Sequence, residues 1–319
     1  MDFLAVIPYL LGFHPSESLV TVLSSGGRVV LTARLDLPAP GSAAPVAAQV
    51  RQLASEHRID EVVLVAYSEA ETPGRQLLER VRTGLAGTVA VREVLLVSGA
   101  RWWSLSCSTG CCPTEGARFD PEAHPLAAEA VWAGLSAGRS RAALEELVAG
   151  PAAEALPRLR GLLAGAREAL AGTDRPAAAE AMAAAVRAAV GDPEVPDEAG
   201  CARLAVLAED LAVRDVAWAM MSRPVVEQHQ RLWCRVVAAA PPEVASGPLG
   251  LLGVAAWIGG NGALLNCCVE RLEQIDPGYT LGQLLADISE RALPPSAWGD
   301  LEGDLRQEVA AVTGLPGLH

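Results

Sequence analysis

The feature that most constrains this chain is a change of periodicity partway along it. Up to about residue 120, short β-branched or apolar runs alternate with stretches of helical spacing; beyond it only helical spacing remains, in alanine- and leucine-rich text. Ser18 to Leu23 is a β-branched run, Gly26-Gly27 supply a turn, and Arg28 to Leu37 reads as the returning strand of a hairpin. A helical stretch over about 43–57 leads to the unbroken run Glu61-Val-Val-Leu-Val-Ala-Tyr67, the pattern of a strand buried on both faces. Pro73 opens a second helix, with Leu77, Leu78, Val81 and Leu85 near 3.6 spacing, and Val89 to Val97 is a further strand. Arg101 to Ser106 extends the sheet before a cysteine-containing loop. The alternation predicts an α/β domain with a mixed sheet and flanking helices.

The later text is broken at Gly150-Pro151, Gly172-Thr-Asp174, Gly191-Asp-Pro193 and Pro241-Pro242, with no strand pattern between the breaks. A helix carrying Leu144, Leu147 and Val148 runs into the first glycine–proline stop, so the boundary is placed there: an α/β domain over 1–150 and an all-α domain over 151–319. Leu252-Gly253 and Pro277 fall at the offsets of a tetratricopeptide unit, and Cys201, Cys234 and Cys267 are spaced 33 apart. The text between those cysteines does not align, and a helical bundle is the simpler expectation.

Composition closes off several chemistries. The 25 basic residues are all arginine, so no Schiff-base lysine and no phosphate-cradling lysine loop exists. A net charge of -13 makes a nucleic acid a poor partner, because such binding needs clustered positive charge. The acidity concentrates on the helical half, with 13 arginines against 22 acids after residue 150 and 12 against 16 before it. No run approaches the ~20 apolar residues of a membrane span. The apolar run Phe3 to Phe13 follows Asp2, contains Pro8 and lacks a cleavage site, so it reads as a buried segment and not a leader. Seven cysteines, an odd number, speak against a closed disulfide framework and for a cytoplasmic protein. No Gly-x-Gly-x-x-Gly follows a strand and no Gly-x-Ser-x-Gly elbow occurs.

The most unusual stretch is Arg101-Trp-Trp-Ser-Leu-Ser-Cys107-Ser-Thr-Gly-Cys111-Cys112-Pro-Thr-Glu115-Gly-Ala-Arg118. Together with Pro8-Tyr-Leu-Leu-Gly-Phe-His14-Pro-Ser-Glu-Ser18, Ala33-Arg34-Leu-Asp36-Leu-Pro38, Asp215-Val-Ala-Trp218, Ala256-Trp257 and Asp276-Pro277, it resembles the actinobacterial domain-of-unknown-function family numbered 4192. The resemblance runs along nearly the whole chain and implies no activity. The family tends to place an arginine directly after Glu-Gly, whereas here Ala117 precedes Arg118.

Three readings compete for the cysteine loop. Cys107 and Cys111, spaced as half of a zinc site, would bind metal with nitrogen from His14 or His124. Cys112 and Arg118 have the spacing of a phosphatase-like loop, in which backbone N–H groups and an arginine stabilise thiolate and phosphate, although Pro113 removes one N–H and Glu115 repels. Packing or redox is the third reading, with the cysteines filling a tight loop against Trp102 and Trp103. Near the N-terminus, His14 is a candidate base or ligand and Ser18 a candidate anion contact; the alternative is a backbone-capping histidine. Arg34 and Asp36 share a strand face, either as an exposed edge or as the polar floor of a pocket. Trp132, Trp218, Trp233 and Trp257 are expected to be helical core anchors.

The functional expectation is a small-ligand-binding or regulatory protein. Its pocket would lie near His14, Ser18, Arg34, Asp36 and the Cys107–Arg118 loop, with Arg101, Trp102, Glu115 and Arg118 as ligand contacts. The helical half would dock a protein partner. The alternative is a cysteine- or metal-dependent enzyme acting on a small anionic molecule, with Cys111 or Cys112 as nucleophile or ligand, His14 as base or ligand, and zinc as the candidate metal.

Overall fold

The computed structural model of the protein describes residues 2–107, 110, 112–121, 123–132, 140–191 and 196–315. By its contacts the chain divides into two compact units, 1–141 and 142–319.

The first unit is built from α1 (Asp2–Leu11), β1 (Ser18–Ser25), β2 (Arg28–Asp36), α2 (Ala43–Glu56), β3 (Glu61–Tyr67), α3 (Glu71–Leu85), β4 (Ala90–Ser98), β5 (Arg101–Ser104), β6 (Ala117–Arg118) and α4 (Pro125–Trp132). The apolar N-terminal run forms a helix with Pro8 inside it; Leu4, Ile7 and Leu11 are buried at helical spacing, and Gly12 (φ 79°) ends it. The strands form one mixed sheet of order β2-β1-β3-β4-β5-β6. Only β3 and β4 are parallel, and α3 makes the crossover that a parallel pair requires. The Gly26-Gly27 turn has both residues at positive φ, which closes the hairpin in two residues.

Helix α3 lies close on the sheet because Gly74 has no side chain: a Cβ there would sit 2.8 Å from Leu96 Cδ1. Helix α2 packs beside α3 on that face, the one carrying Leu19, Leu64 and Leu96. The opposite face holds Val20, Val65 and Leu95, also buried, and α1 approaches from β2 while packing against α4. Flanking helices on a mixed sheet therefore match the expected α/β architecture.

Among its described residues the second unit has helices and no strand. It comprises α5 (Arg141–Val148), α6 (Leu156–Leu170), α7 (Arg175–Gly191), α8 (Glu198–Leu207), α9 (Leu211–Ala219), α10 (Val226–Ala239), α11 (Ser246–Ile258), α12 (Gly262–Ile275), α13 (Thr280–Glu290) and α14 (Trp298–Thr313). Several starts are capped by the residue types that favour caps: Asp197 accepts from Gly200 N–H, Asp210 from Ala212 and Val213, and Asn261 from Leu264. The helix containing Leu144 and Val148, read from sequence as the end of the first domain, packs into the core of this unit. Helix α11 is buried along its whole length and packs on α9, α10, α12 and α13. Gly253 permits this approach, since a Cβ there would lie 2.6 Å from Leu285 and 3.4 Å from Cys268. After α13 the chain turns back, and α14 packs on α9 and α7. Among the described residues no helix is long and apolar enough to cross a membrane.

Candidate functional site

Strand register brings together residues far apart in sequence. Ser18 pairs with Asp36 on β2 and with Tyr67 on β3; Tyr67 pairs with Val97, Val97 with Trp102, and Trp102 with Ala117. Directly opposed residues share a sheet face, so Asp36, Ser18, Tyr67, Val97 and Trp102 form one row across that face. Arg34, two residues before Asp36, lies on the same face. Its Nε donates to Ser18 Oγ at 2.8 Å, and Ser18 Oγ donates to the Ser16 carbonyl at 2.6 Å. Arg34 NH1 pairs with Asp36 at 2.6 Å, and the guanidinium lies 6.0 Å from the Phe13 ring centroid. The Arg34 side chain is only 10 % exposed while that of Asp36 is 81 % exposed, so the pair runs from a covered floor to solvent.

Among the described residues, two donors on this row have no acceptor. The Tyr67 hydroxyl and the Trp102 indole N–H are both buried without a hydrogen-bond partner. Burial also raises the Tyr67 hydroxyl pKa, which keeps it a neutral O–H donor. Two inter-strand spacings separate the residues, on the order of 10 Å between backbones. Tyr67 was not singled out from sequence, because it closes an apolar strand and looks like one more core residue; only strand register puts it beside Ser18. The connection below the row is backbone-strained. Glu17 adopts a left-handed φ of 40°, its carboxylate accepts the Glu69 N–H at 2.6 Å, and its carbonyl accepts the Leu37 N–H at 2.8 Å. Those bonds tie the start of β1 to the ends of β2 and β3.

The cysteine loop is organised from the other face. Arg101 and Trp103 alternate with Trp102 and point away from the row. Arg101 NH1 donates to the carbonyls of Glu115 (3.1 Å) and Gly116 (2.8 Å), and Trp103 Nε1 donates to Thr114 O at 3.1 Å. Arg75 of α3 lies over the Trp103 ring at 5.4 Å. The Arg-Trp-Trp sequence is thus a clamp: its first and third residues fix the loop's return while the second faces the row. Arg101, expected as an anion contact, spends that nitrogen on two backbone carbonyls. Gly116 has φ 78°, and a Cβ on it would lie 2.5 Å from the Trp103 ring. Gly116→Ala is therefore expected to cost about 2 kcal/mol in unfolding free energy, from left-handed strain plus overpacking. Thermal unfolding of the two proteins checks this.

The remaining expected residues fall elsewhere. Arg118 is exposed on β6, opposite Arg101, on the face away from the row. The Gly116 N–H is taken by Pro113 O at 3.0 Å, so it does not line the phosphate cradle that the Cys112–Arg118 spacing called for. Glu115 is exposed. His14 lies half-buried in the α1–β1 connection, at the Ser18 end of the row, and the sheet order puts β3 and β4 between it and the cysteine loop. His124 Nδ1 accepts the Leu126 N–H at 3.3 Å, which occupies one of the two ring nitrogens that metal binding would use. Cys107 and Cys112 are half-buried, and Cys111 lies outside the described residues. Among the described residues no three His, Cys, Asp or Glu side chains come together as a metal-holding group. Of the tryptophans expected in the helical core, Trp233 and Trp257 are buried, whereas Trp132 is 92 % exposed at the end of α4.

The sequence model of the family described as Domain of unknown function (DUF4192) matches residues 1–296, and the chain belongs to that family. Neither a curated protein nor a solved structure matches it.

Proposed function

We propose that the first unit binds a small, acceptor-rich molecule, a carboxylate or another oxyanion, on the sheet face bearing Ser18, Arg34, Tyr67 and Trp102, and that the second unit docks a protein. The protein is accordingly a ligand-binding or regulatory protein. One observation carries the reading: the Tyr67 O–H and Trp102 N–H are buried on one cross-sheet row and, among the described residues, have no acceptor. A buried, unsatisfied donor costs about 1–3 kcal/mol, and two on one face beside a mostly covered guanidinium form a donor-rich surface. Such a surface favours ligands that bring lone pairs and negative charge.

The test is calorimetric titration and thermal shift with a panel of small carboxylates, phosphate and sulfate. At least one member is expected to stabilise the wild-type chain. Tyr67→Phe is expected to weaken that ligand about tenfold while raising ligand-free stability by about 1–2 kcal/mol, because an orphaned hydroxyl has been removed. A Tyr67→Phe protein less stable than wild type, together with no shift from any panel member, would sink the reading.

A further inference from the structure

The Arg34–Asp36 pair leaves one pole of each partner unused. Arg34 commits Nε to Ser18 Oγ and Nη1 to Asp36 Oδ1. Among the described residues, Arg34 Nη2 and Asp36 Oδ2 have no further hydrogen-bond partner. The two side chains share a strand face, so an unused donor and an unused acceptor flank a single ion pair. The donor belongs to the mostly covered guanidinium and the acceptor to the exposed carboxylate.

The charge around this pair is not positive. Asp36 already neutralises Arg34, and Glu17 and Glu69 are exposed at the same end of the sheet, where the Glu17 carboxylate accepts the Glu69 N–H. A ligand that brought only a carboxylate to Nη2 would set a further negative charge beside Asp36, Glu17 and Glu69, and like charges close together oppose binding. A carboxylate with an ammonium beside it brings no net charge and sets a charged donor against Asp36. The pair therefore complements a molecule carrying both signs on neighbouring atoms better than one carrying either sign alone.

Beyond the pair the row offers an apolar surface with a donor on it. The Phe13 ring backs the guanidinium at 6.0 Å. Ser18 stands directly opposite Tyr67, whose buried hydroxyl has no acceptor among the described residues, and Val97 follows on the next strand. One inter-strand spacing, about 4.8 Å, separates Ser18 from Tyr67, which is within reach of a short side chain.

We infer that the ligand of this row is a zwitterionic α-amino acid, with its carboxylate on Arg34 Nη2, its ammonium on Asp36 Oδ2 and a short side chain ending in an oxygen that accepts from the Tyr67 hydroxyl. The inference rests on the sheet-face half of the proposed function and narrows it. Ser18 Oγ donates to Ser16 O and accepts from Arg34 Nε, so it is a positioning residue that holds the guanidinium in place before the ligand arrives. Asp36 selects for the amino group, and Tyr67 for the acceptor on the side chain.

The experiment is calorimetric titration of the full chain with L-glutamine, L-asparagine and L-serine, of which at least one is expected to bind. The tightest is then compared with its deamino acid and its decarboxylated amine; for L-glutamine these are glutaramate and 4-aminobutanamide. Each deletion removes a charge-assisted hydrogen bond and should weaken binding by roughly tenfold or more. Asp36→Asn should weaken the amino acid about tenfold and leave the deamino acid unchanged or tighter, a split that a purely structural Asp36 would not produce. A deamino acid that binds as tightly as the amino acid overturns the inference and leaves the oxyanion reading standing. Equal weakening of both ligands by Asp36→Asn does the same, since Asp36 then acts only by placing Arg34. So does binding of a plain carboxylate, phosphate or sulfate where no amino acid binds. Failure of amino acids and oxyanions alike overturns both the inference and the reading beneath it.

Discussion

Asp215→Ala is expected to destabilise the protein by about 4 kcal/mol, the largest single-residue effect foreseen. Arg214 is almost wholly buried on α9, and two of its nitrogens, Nε at 2.8 Å and NH2 at 2.6 Å, bind one oxygen of Asp215. NH1 donates to the Tyr279 hydroxyl at 2.7 Å, and the guanidinium lies over that ring at 5.4 Å. Removing the carboxylate leaves a guanidinium that cannot shed its proton in a low-dielectric site, and that penalty exceeds the net worth of the pair. Tyr279→Phe removes one neutral partner and is expected to cost about 1 kcal/mol. Replacing both charges, as Arg214→Met with Asp215→Leu, should cost much less than Asp215→Ala alone, because no unpaired charge remains. Urea unfolding followed by tryptophan fluorescence measures all three. A loss below about 1 kcal/mol for Asp215→Ala would show that Arg214 does not depend on this partner.

Acidification from pH 7 to pH 4 is expected to remove about 3 kcal/mol of stability through a single side chain, His229. This imidazole is buried on α10, its Nδ1 has no partner among the described residues, and burial lowers its pKa from 6.5 to about 4, with a bond to the Met220 backbone pulling the other way. The folded state holds the neutral ring, while the unfolded chain takes up a proton near its ordinary pKa. The contribution is therefore intact above about pH 6.5 and is lost as pH falls towards 4. Carboxylates add their own acid response, so the readout is a difference: His229→Leu should lower stability at pH 7 but flatten the slope between pH 6.5 and 4 relative to wild type. Equal slopes for the two proteins would show that His229 is not the titrating group.

The two predictions concern the same region. The carbonyls of Ala219, Met220 and Met221, at the end of α9, are met by Arg306, His229 and Trp298 respectively, from three other positions in the chain. The Asp215-Val-Ala-Trp218 stretch, visible in the sequence as part of a family resemblance, leads directly into this end. What made it recognisable is now physical: Asp215 neutralises a buried arginine, and Trp218 floors the slot for Trp298.

Much of the fold was legible because it rests on local periodicity. The strands Ser18–Ser25, Arg28–Asp36, Glu61–Tyr67 and Ala90–Ser98 fall where β-branched runs lie, and the helices after residue 140 where alanine and leucine recur. The N-terminal apolar run was recognised as buried, but its helical form was not, since a short run with an internal proline carries no decisive period. The candidate site was legible only in pieces. Ser18, Arg34, Asp36 and Trp102 were named from sequence as separate motifs, whereas Tyr67 was not, and Arg101 and Arg118 were grouped with them although they face the other way. A sequence shows that a residue lies on a strand. It does not show which strand lies alongside or in what register, and a shift of one residue moves every side chain to the opposite face.

By itself, then, the sequence determined the two kinds of text, the excluded lysine chemistry and the acidic balance of the helical half, all properties of composition or of spacing within one element. Only the tertiary structure decided that two buried donors share a face with Arg34, that Arg101 faces the loop and not the row, and that the last helix returns to the end of α9. Each of these depends on contacts between residues tens of positions apart, whose closure entropy is offset only when the packed core forms around them.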